Sequence, residues 1–321
     1  DAGLEKRLRM LPMFPYPEKE LKALVSEALP SRDSEDGHQT GVKLYDTVLI
    51  DEAQNIDADW WQLLLRTRRG EDAELMLAAD LTQSLYGDQA TLSSGQNWTD
   101  EPTAGGGFRG PWVSFSESYR FPKNIIPMLA DYCDRFLDGD EVDKPTTSRE
   151  LDLFSCQMRY RDVRASGDLA TEVAELIHQW SDLPNLPSGD IAFLMSTHLL
   201  GLEVIEHLKF LNPDLAERVT HVFGEGWPIR QQRKRAFRRD PLHFMGSTLH
   251  SFQGWESRCV IFGIPPLHDG ADPGNEFNTA YWKAVYVGLS RVTRSASGSF
   301  LVVVNAELRL DDFLQKHFVP V

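Results

Sequence analysis

The segment Val48-Leu49-Ile50-Asp51-Glu52-Ala53-Gln54 decides the fold predicted for this chain. Its first three residues are aliphatic and predict a buried strand, which delivers the carboxylates of Asp51 and Glu52 to its C-terminal end. Ligands of open α/β sheets bind in the crevice outside the carboxyl ends of the strands. Such an acidic pair suits Mg²⁺, a hard cation that takes oxygen ligands and is usually shared with substrate phosphates. An ordinary strand end with two solvated acids is the alternative.

The composition is that of a soluble globular protein. The chain has 321 residues, of which 41% are hydrophobic and 25% are charged, and this length predicts about two domains. The formal net charge of −15 argues against a protein whose whole surface binds nucleic acid, because such proteins are normally basic. A narrow basic groove on an acidic body remains compatible with this charge.

Cysteine usage and the absence of long apolar runs predict a cytoplasmic protein. No apolar run approaches the ~20 residues that span a bilayer, so no membrane contact is expected. The N-terminal residues contain no apolar signal region, and residue 1 is not methionine, which indicates that it is not the natural start. The three cysteines are far apart and form neither a disulfide framework nor a zinc site.

Strands and helices alternate along the chain, which predicts parallel sheets. Apolar spacing predicts helices at 17–29, 58–68, 122–136, 168–180, 200–210 and 278–289. It predicts strands at 43–50, 74–79, 113–115, 152–160, 190–195, 219–223, 246–250, 259–264 and 300–304.

Residues Arg230–Arg239 form the one strong basic cluster. A solvated helix face is one interpretation. The other is a patch that follows nucleic-acid phosphates, with Arg233, Lys234 and Arg235 as the candidate contacts.

Five segments are expected to fall where strands end, and each is a weak signal alone. They are Asp51–Gln54, Ala79–Tyr86, Ser118–Arg120, Ser247–Glu256 and Tyr286–Arg291. In this order they resemble motifs II to VI of superfamily 1 helicases of the UvrD/Rep type, over residues 43–305. The resemblance implies an α/β fold of two RecA-like parallel-sheet domains of the P-loop NTPase type. The first, residues 1–114, would be incomplete, and the second would comprise residues 115–321.

The resemblance also implies a site that hydrolyses ATP with Mg²⁺ between the two domains. Asp51 would hold the metal, directly or through water, and Glu52 would bind it too and polarise the attacking water. Gln83 matches the glutamine that senses the γ-phosphate. Arg120 and Arg291 match two arginines that reach the same phosphate, and a planar, permanently charged guanidinium suits that task.

Further matches concern the nucleotide and the nucleic acid. Gly254 and Glu256 belong to the nucleotide-binding motif, with Glu256 on the ribose. Thr248 and His250 match positions near single-stranded DNA, the partner that the resemblance implies, with RNA not excluded; His250 has a structural role as its alternative. Tyr86 could stack on bases or pack into the core.

Several features depart from the family. Gln253 stands where UvrD-type enzymes commonly have lysine, and the segment between Arg120 and Thr248 is too short for the large 2B insertion. No Gly-x-x-x-x-Gly-Lys-Ser/Thr phosphate loop occurs. The chain is therefore expected to be a fragment of a longer helicase that lacks its N-terminal part and is inactive alone. The rival is a non-catalytic, helicase-like scaffold that binds DNA or protein.

Overall fold

In a computed structural model of the protein, the described strands pair in parallel. The structure describes residues 18–29, 43–56, 58–70, 72–80, 83, 113, 115, 117–137, 147–148, 155–165, 167–181, 183, 186–267 and 276–321. The chain divides into two compact units, Asp1–Val113 and Ser114–Val321. Both contain parallel strand pairs, so the predicted α/β class is confirmed. Their assignment to an incomplete and a complete RecA-like domain stays a prediction. Within the described residues, no helix has the length and apolarity to cross a bilayer.

The first unit contains a two-stranded sheet with helices on the chain before and between its strands. Its elements are α1 (Glu18–Ala28), β1 (Thr47–Ile50), α2 (Ala58–Leu65) and β2 (Glu74–Leu77). Strands β1 and β2 pair in parallel, with Ile50 opposite Leu77. These two side chains form a small core with Ala53, Trp61 and Leu65. The strand predicted before Asp51 is therefore present, but the prediction that it is buried is wrong: Ile50 is buried, Val48 is partly buried and Leu49 is exposed.

The other face of this small sheet exposes aliphatic side chains. Leu49 is 69% exposed and Met76 is 61% exposed, and the two residues lie opposite each other in the parallel register. Parallel sheets in known folds are covered on both faces. The described part of the first unit thus presents an apolar sheet surface of the kind that further structure normally covers.

The second unit is built on a seven-stranded parallel sheet. Its described strands are β3 (Glu117–Ser118), β4 (Thr147–Ser148), β5 (Cys156–Asp162), β6 (Ile191–Met195), β7 (Val219–His221), β8 (Phe244–Thr248), β9 (Cys259–Ile264), β10 (Ser299–Asn305) and β11 (Val319–Pro320). The strand order of the large sheet is β11-β5-β10-β9-β6-β8-β7, and β3 and β4 form a separate parallel pair. The central strands β6 and β9 are buried along their whole length, as expected for apolar runs in a sheet covered on both faces.

The described helices of the second unit are α3 (Ile125–Phe136), α4 (Leu169–Ser181), α5 (His198–Leu211), α6 (Pro213–Glu217), α7 (Trp227–Ala236), α8 (Glu276–Leu289) and α9 (Asp311–His317). Local sequence signals fix two of the helix starts. Thr197 caps α5, because its side chain accepts a hydrogen bond from the amide of Leu200. Asn212 caps α6 through the amide of Leu215, and Pro213 occupies the first turn, where proline is favoured.

Two predictions of local structure are wrong. Val113 and Phe115 lie outside any strand, and the short strand of this region is Glu117–Ser118. The helix predicted from Pro122 begins at Ile125, since the Pro122 carbonyl instead accepts a hydrogen bond from the amide of Ile125 in a preceding turn. The sequence patterns also missed β4, α6, α9 and β11. These elements have seven residues or fewer, too few for a period to be recognised.

Candidate functional site

In the first unit, β1 and β2 deliver their following residues to the same edge of the sheet. The amide of Ala78 donates to the carbonyl of Ile50 at 2.8 Å, and the amide of Ala53 donates to the carbonyl of Ala78 at 3.0 Å. These bonds continue the pairing past the last strand residues. Asp51 and Asp80 therefore follow adjacent parallel strands, as the sequence predicted for the two motifs.

Glu52 has an unusual backbone conformation. Its φ of 53° and ψ of 38° lie in the left-handed region, and among the described residues it is the one non-glycine with positive φ. Its amide donates to Asp51 Oδ1 at 2.9 Å. Such a conformation costs on the order of 1–3 kcal/mol and occurs preferentially at functional sites. The sharp turn ends the strand at once, so both carboxylates stay at the sheet edge.

Gln83 is almost fully buried and is held by Asp80. Its amide nitrogen Nε2 donates to Asp80 Oδ2 at 2.5 Å, and its backbone amide donates to the Asp80 carbonyl at 3.1 Å. A side-chain amide fixed in this way has a defined orientation. Tyr86, the candidate base-stacking residue of the same segment, lies outside the described residues.

The side chains at this edge fit Mg²⁺ by their donor chemistry. Asp51 is exposed and Glu52 is partly exposed, and both offer only oxygen. No group of three or more His, Cys, Asp or Glu side chains that could hold a metal occurs among the described residues. Two carboxylates match the usual Mg²⁺ site, in which phosphates and water supply the remaining ligands.

In the second unit, Arg120 and Glu256 form an ion pair, with 3.8 Å between Arg120 Nε and Glu256 Oε2. The Arg120 carbonyl accepts a hydrogen bond from the amide of Arg294 at 2.9 Å. Arg120 follows β3, Glu256 precedes β9 and Arg294 precedes β10. Three segments that are distant in sequence thus meet around Arg120.

A short backbone pairing joins two of these segments more closely. The amide of Ser257 donates to the carbonyl of Arg291 at 3.0 Å, and the amide of Thr293 donates to the carbonyl of Ser257 at 2.9 Å. Glu256 and Arg291 therefore lie on directly paired backbone. The idea that this last segment follows a strand does not hold, because Arg291 follows helix α8 and lies before β10.

The Arg291 side chain is 1% exposed and folds onto its own helix. Its Nε donates to the carbonyl of Val287 at 3.0 Å, and its Nη2 donates to Ser290 Oγ at 3.2 Å. The guanidinium has to become more exposed before it can reach a phosphate.

Backbone conformation explains the glycine at position 254. Its φ of +74° lies in the left-handed region, which favours glycine. Lack of space is not the reason, because a Cβ atom there would meet no atom within 4 Å. Two residues that follow α7 contact the turn from Gly254 to Glu256. The Phe237 ring packs edge to face on the Trp255 ring, with 5.4 Å between centroids, and Arg239 donates a hydrogen bond to the Glu256 carbonyl. Sequence reasoning missed the role of Phe237 and Arg239, because no local pattern links residues so far apart in sequence.

The candidate nucleic-acid residues differ in their surroundings. Thr248 is buried, and its hydroxyl accepts a hydrogen bond from the amide of Ser251 at 3.4 Å. His250 is exposed. Buried Thr248 is thus placed to shape the turn, while His250 lies at the surface.

The basic cluster lies on helix α7 and its C-terminal extension. No residue of α7 is buried. Arg233 donates to the carbonyl of Phe223, and Arg230 donates to the carbonyl of Gly224 at 2.7 Å. Lys234 and Arg235 are exposed. Arg230 and Arg233 therefore attach α7 to the preceding turn, and the other two cations of this helix, Lys234 and Arg235, face solvent.

Comparisons with known proteins give low similarity. No protein-family profile and no curated protein matches the chain. One solved structure, the C-terminal domain of a possible DNA helicase from Lactobacillus plantarum WCFS1, is 14% identical with a TM-score of 0.38, covering 63% of this chain and 98% of that one. S. cerevisiae Dbp5 bound to RNA and ADP BeF3 is 14% identical with a TM-score of 0.44, covering 87% and 60%. With TM-scores below 0.5, these likenesses decide neither the activity nor the nucleic acid that this chain binds.

Proposed function

We propose that this chain is part of an ATP-dependent superfamily 1 DNA helicase or translocase, which couples ATP hydrolysis to movement along single-stranded DNA. The observation that supports it most is the meeting of Arg120, Glu256 and Arg291. They match three separate helicase-like motifs: an ion pair joins Arg120 to Glu256, and backbone hydrogen bonds of Ser257 join the segment of Glu256 to that of Arg291. Guanidinium groups suit phosphates, and a carboxylate suits ribose hydroxyls as a hydrogen-bond acceptor.

The proposed reaction is ATP plus water to ADP plus phosphate. Asp51 and Glu52 hold Mg²⁺, which neutralises charge on the phosphates when bound. Glu52 also polarises the attacking water, and Gln83 orients it through an amide that both donates and accepts hydrogen bonds. Arg120 and Arg291 stabilise the charge that develops on the γ-phosphate. The protein thus contributes positioning and charge stabilisation, which dominate phosphoryl transfer.

The first unit is proposed to be an incomplete RecA-like domain. The exposed pair Leu49 and Met76 supports this, because added strands or helices would cover that face. A phosphate loop would belong to the same missing part. The rival function, a non-catalytic scaffold, is favoured by the absence of such a loop from this sequence. A Gly-Lys-Ser/Thr loop upstream of Asp1 in the gene would support the enzyme, and its absence would support the scaffold.

The first prediction concerns nucleotide binding by residues 1–321 alone. Without a phosphate loop, the remaining contacts reach only the metal, the γ-phosphate and the ribose. We expect a dissociation constant for ATP·Mg²⁺ of about 1 mM or weaker, which corresponds to roughly −4 kcal/mol. Isothermal titration calorimetry measures it. Micromolar affinity, or a steady DNA-stimulated ATPase rate, would contradict the proposed incompleteness of the site.

The second prediction concerns the basic helix. Lys234→Ala and Arg235→Ala should each weaken binding of single-stranded DNA, by similar factors for all sequences. Each lost phosphate contact should make the slope of log K against log[salt] shallower by about 0.7. Fluorescence anisotropy across a salt series measures both quantities.

Two controls accompany that measurement. Lys316→Ala removes one cation from α9, where Lys316 forms an ion pair with Asp131, and it should leave the slope unchanged. Arg233→Ala should lower thermal stability as well, because Arg233 binds the Phe223 carbonyl. If Lys234→Ala and Arg235→Ala behave like Lys316→Ala, α7 is a solvated helix face.

A further inference from the structure

The Arg120 guanidinium has an acidic partner and an aromatic partner. The acidic one is Glu256, whose Oε2 lies 3.8 Å from Arg120 Nε. The aromatic one is Phe121: the guanidinium carbon Cζ of Arg120 lies over its ring, 4.6 Å from the centroid. This distance is within the ~6 Å over which the face of an aromatic ring attracts a cation. Arg120 is therefore held by two contacts of different chemistry.

The contact with Phe121 leaves the N–H groups of Arg120 available. The ring attracts the face of the guanidinium, whereas the N–H donors point outward in the guanidinium plane. The 3.8 Å from Arg120 Nε to Glu256 Oε2 exceeds hydrogen-bond length. Within the described residues, the Arg120 side chain donates no hydrogen bond, and 34% of it is exposed. Its donors are thus left to water or to a ligand.

The backbone on either side of this guanidinium is fixed. Ser118 Oγ accepts hydrogen bonds from the amide of Arg120 at 3.3 Å and from the amide of Phe121 at 3.1 Å. The Arg120 carbonyl accepts a hydrogen bond from the amide of Arg294 at 2.9 Å. The Phe121 ring is buried in the core of the second unit. The position of the ring under Arg120 therefore does not depend on Glu256.

We propose that Phe121 is a positioning residue, which orients the Arg120 guanidinium so that its N–H groups bind the γ-phosphate of ATP. This role rests on the proposed function, which supplies the ligand. In that function Glu256 accepts hydrogen bonds from the ribose, and the contact with Phe121 persists when Glu256 does so. A guanidinium that is already oriented loses less conformational entropy on binding phosphate. Phe121 lies outside the segment Ser118–Arg120 that carries the helicase resemblance.

The alternative is that Phe121 only fills the core. The two roles differ in their effect on ATP and ADP, because ADP lacks the γ-phosphate that Arg120 is proposed to bind. Loss of a positioning residue weakens the binding of ATP more than that of ADP. Loss of a residue that only supports the fold changes both affinities alike or changes neither.

The test measures binding of ATP·Mg²⁺ and of ADP·Mg²⁺ to residues 1–321 by NMR, which resolves millimolar dissociation constants. The shifts of the Arg120 Nε–Hε group and of the Glu256 backbone amide report binding at the site itself. We expect ATP·Mg²⁺ to bind more tightly than ADP·Mg²⁺. Phe121→Leu should weaken ATP·Mg²⁺ binding about three- to fivefold, the range of a partly exposed cation–π contact, and ADP·Mg²⁺ binding less than about twofold.

Three further variants serve as controls. Phe121→Tyr retains an aromatic face, so its affinity for ATP·Mg²⁺ should stay within about twofold of the unmodified protein. In an Arg120→Ala background, Phe121→Leu should have no further effect on that affinity. Phe318→Leu is the matched control, because Phe318 belongs to the same buried core as Phe121 and packs on Phe313. It should leave both nucleotide affinities unchanged.

Thermal unfolding identifies a Phe121→Leu protein that does not fold. Phe121→Met then carries the same prediction, since the flexible methionine side chain fills irregular space in a core but offers no aromatic face. Equal weakening of the two nucleotides, or the same loss of ATP·Mg²⁺ affinity in a folded Phe121→Tyr protein, would overturn the positioning role. Equal affinities of the unmodified protein for ATP·Mg²⁺ and ADP·Mg²⁺ would overturn it too.

Inorganic tripolyphosphate with Mg²⁺ separates this inference from the proposed function. Suppose that tripolyphosphate binds at Arg120 as tightly as ATP, and that Phe121→Leu weakens its binding about three- to fivefold. Phe121 would then be retained as the positioning residue of a phosphate site, and recognition of a nucleotide would be rejected. No shift of the Arg120 resonance with any of the three probes would overturn the inference alone, because weak nucleotide binding is already expected without a phosphate loop.

Discussion

Replacing Arg291 with alanine is expected to lower ATPase turnover by about 10³-fold or more in a form of the protein that includes a phosphate loop, the range typical of arginine fingers. Nucleotide affinity should fall much less, because the charge that this guanidinium stabilises develops mainly in the transition state. Arg291→Lys should not restore the rate, since an ammonium group cannot reproduce the bidentate geometry of a guanidinium. Steady-state kinetics and nucleotide titration measure the two effects separately.

The burial of Arg291 makes a stability control necessary. Its side chain is one of the largest fully buried ones in the described structure, so Arg291→Ala could also unfold the second unit. Thermal unfolding of each variant identifies that case. Arg294→Ala is the matched variant: Arg294 contributes its backbone amide to Arg120, and this bond survives the substitution. Near-normal turnover in a folded Arg291→Ala protein would make Arg291 a structural residue and weaken the motif VI assignment.

The second large effect is expected for Gly288→Ala. Alanine is favoured over glycine inside a helix by about 1 kcal/mol, so a helix considered alone would gain stability. However, a Cβ atom on Gly288 would lie 2.4 Å from Cε1 of the Phe262 ring, and that ring is buried in β9. Overpacking of this kind costs about 1–3 kcal/mol. We therefore expect net destabilisation, measured as a lower urea midpoint with an unchanged m-value.

A second substitution tests whether the ring is the cause. Phe262→Leu removes the ring atoms that a Cβ would meet, so Gly288→Ala should cost much less in a Phe262→Leu background. A double-mutant cycle gives this interaction directly. Equal costs in both backgrounds would show that α8 loses stability for a reason other than contact with β9.

The sequence by itself determined the class of the fold and the chemistry of its strand ends. Alternating apolar segments predicted parallel strands joined by helices, and strand β9 was predicted with its observed bounds, Cys259–Ile264. A short apolar run that is rich in β-branched and aromatic residues favours a buried strand over a helix segment. Asp51 and Glu52 were placed at the end of β1 for the same reason. The roles of the site residues came from a family resemblance, and they stay predictions.

Only the tertiary structure decided which of these residues contact one another and which cations bind backbone carbonyls of the protein itself. The Arg120–Glu256 ion pair, the attachment of Arg233 to Phe223 and the packing of the Phe237 ring on Trp255 all join separate segments. No local period records such contacts, because they depend on strand order and on the path of connecting loops. Gly288 could not be explained from the sequence for a similar reason. Its neighbours in the chain form a helix, and the space for a side chain at this position is taken by the ring of Phe262 in β9.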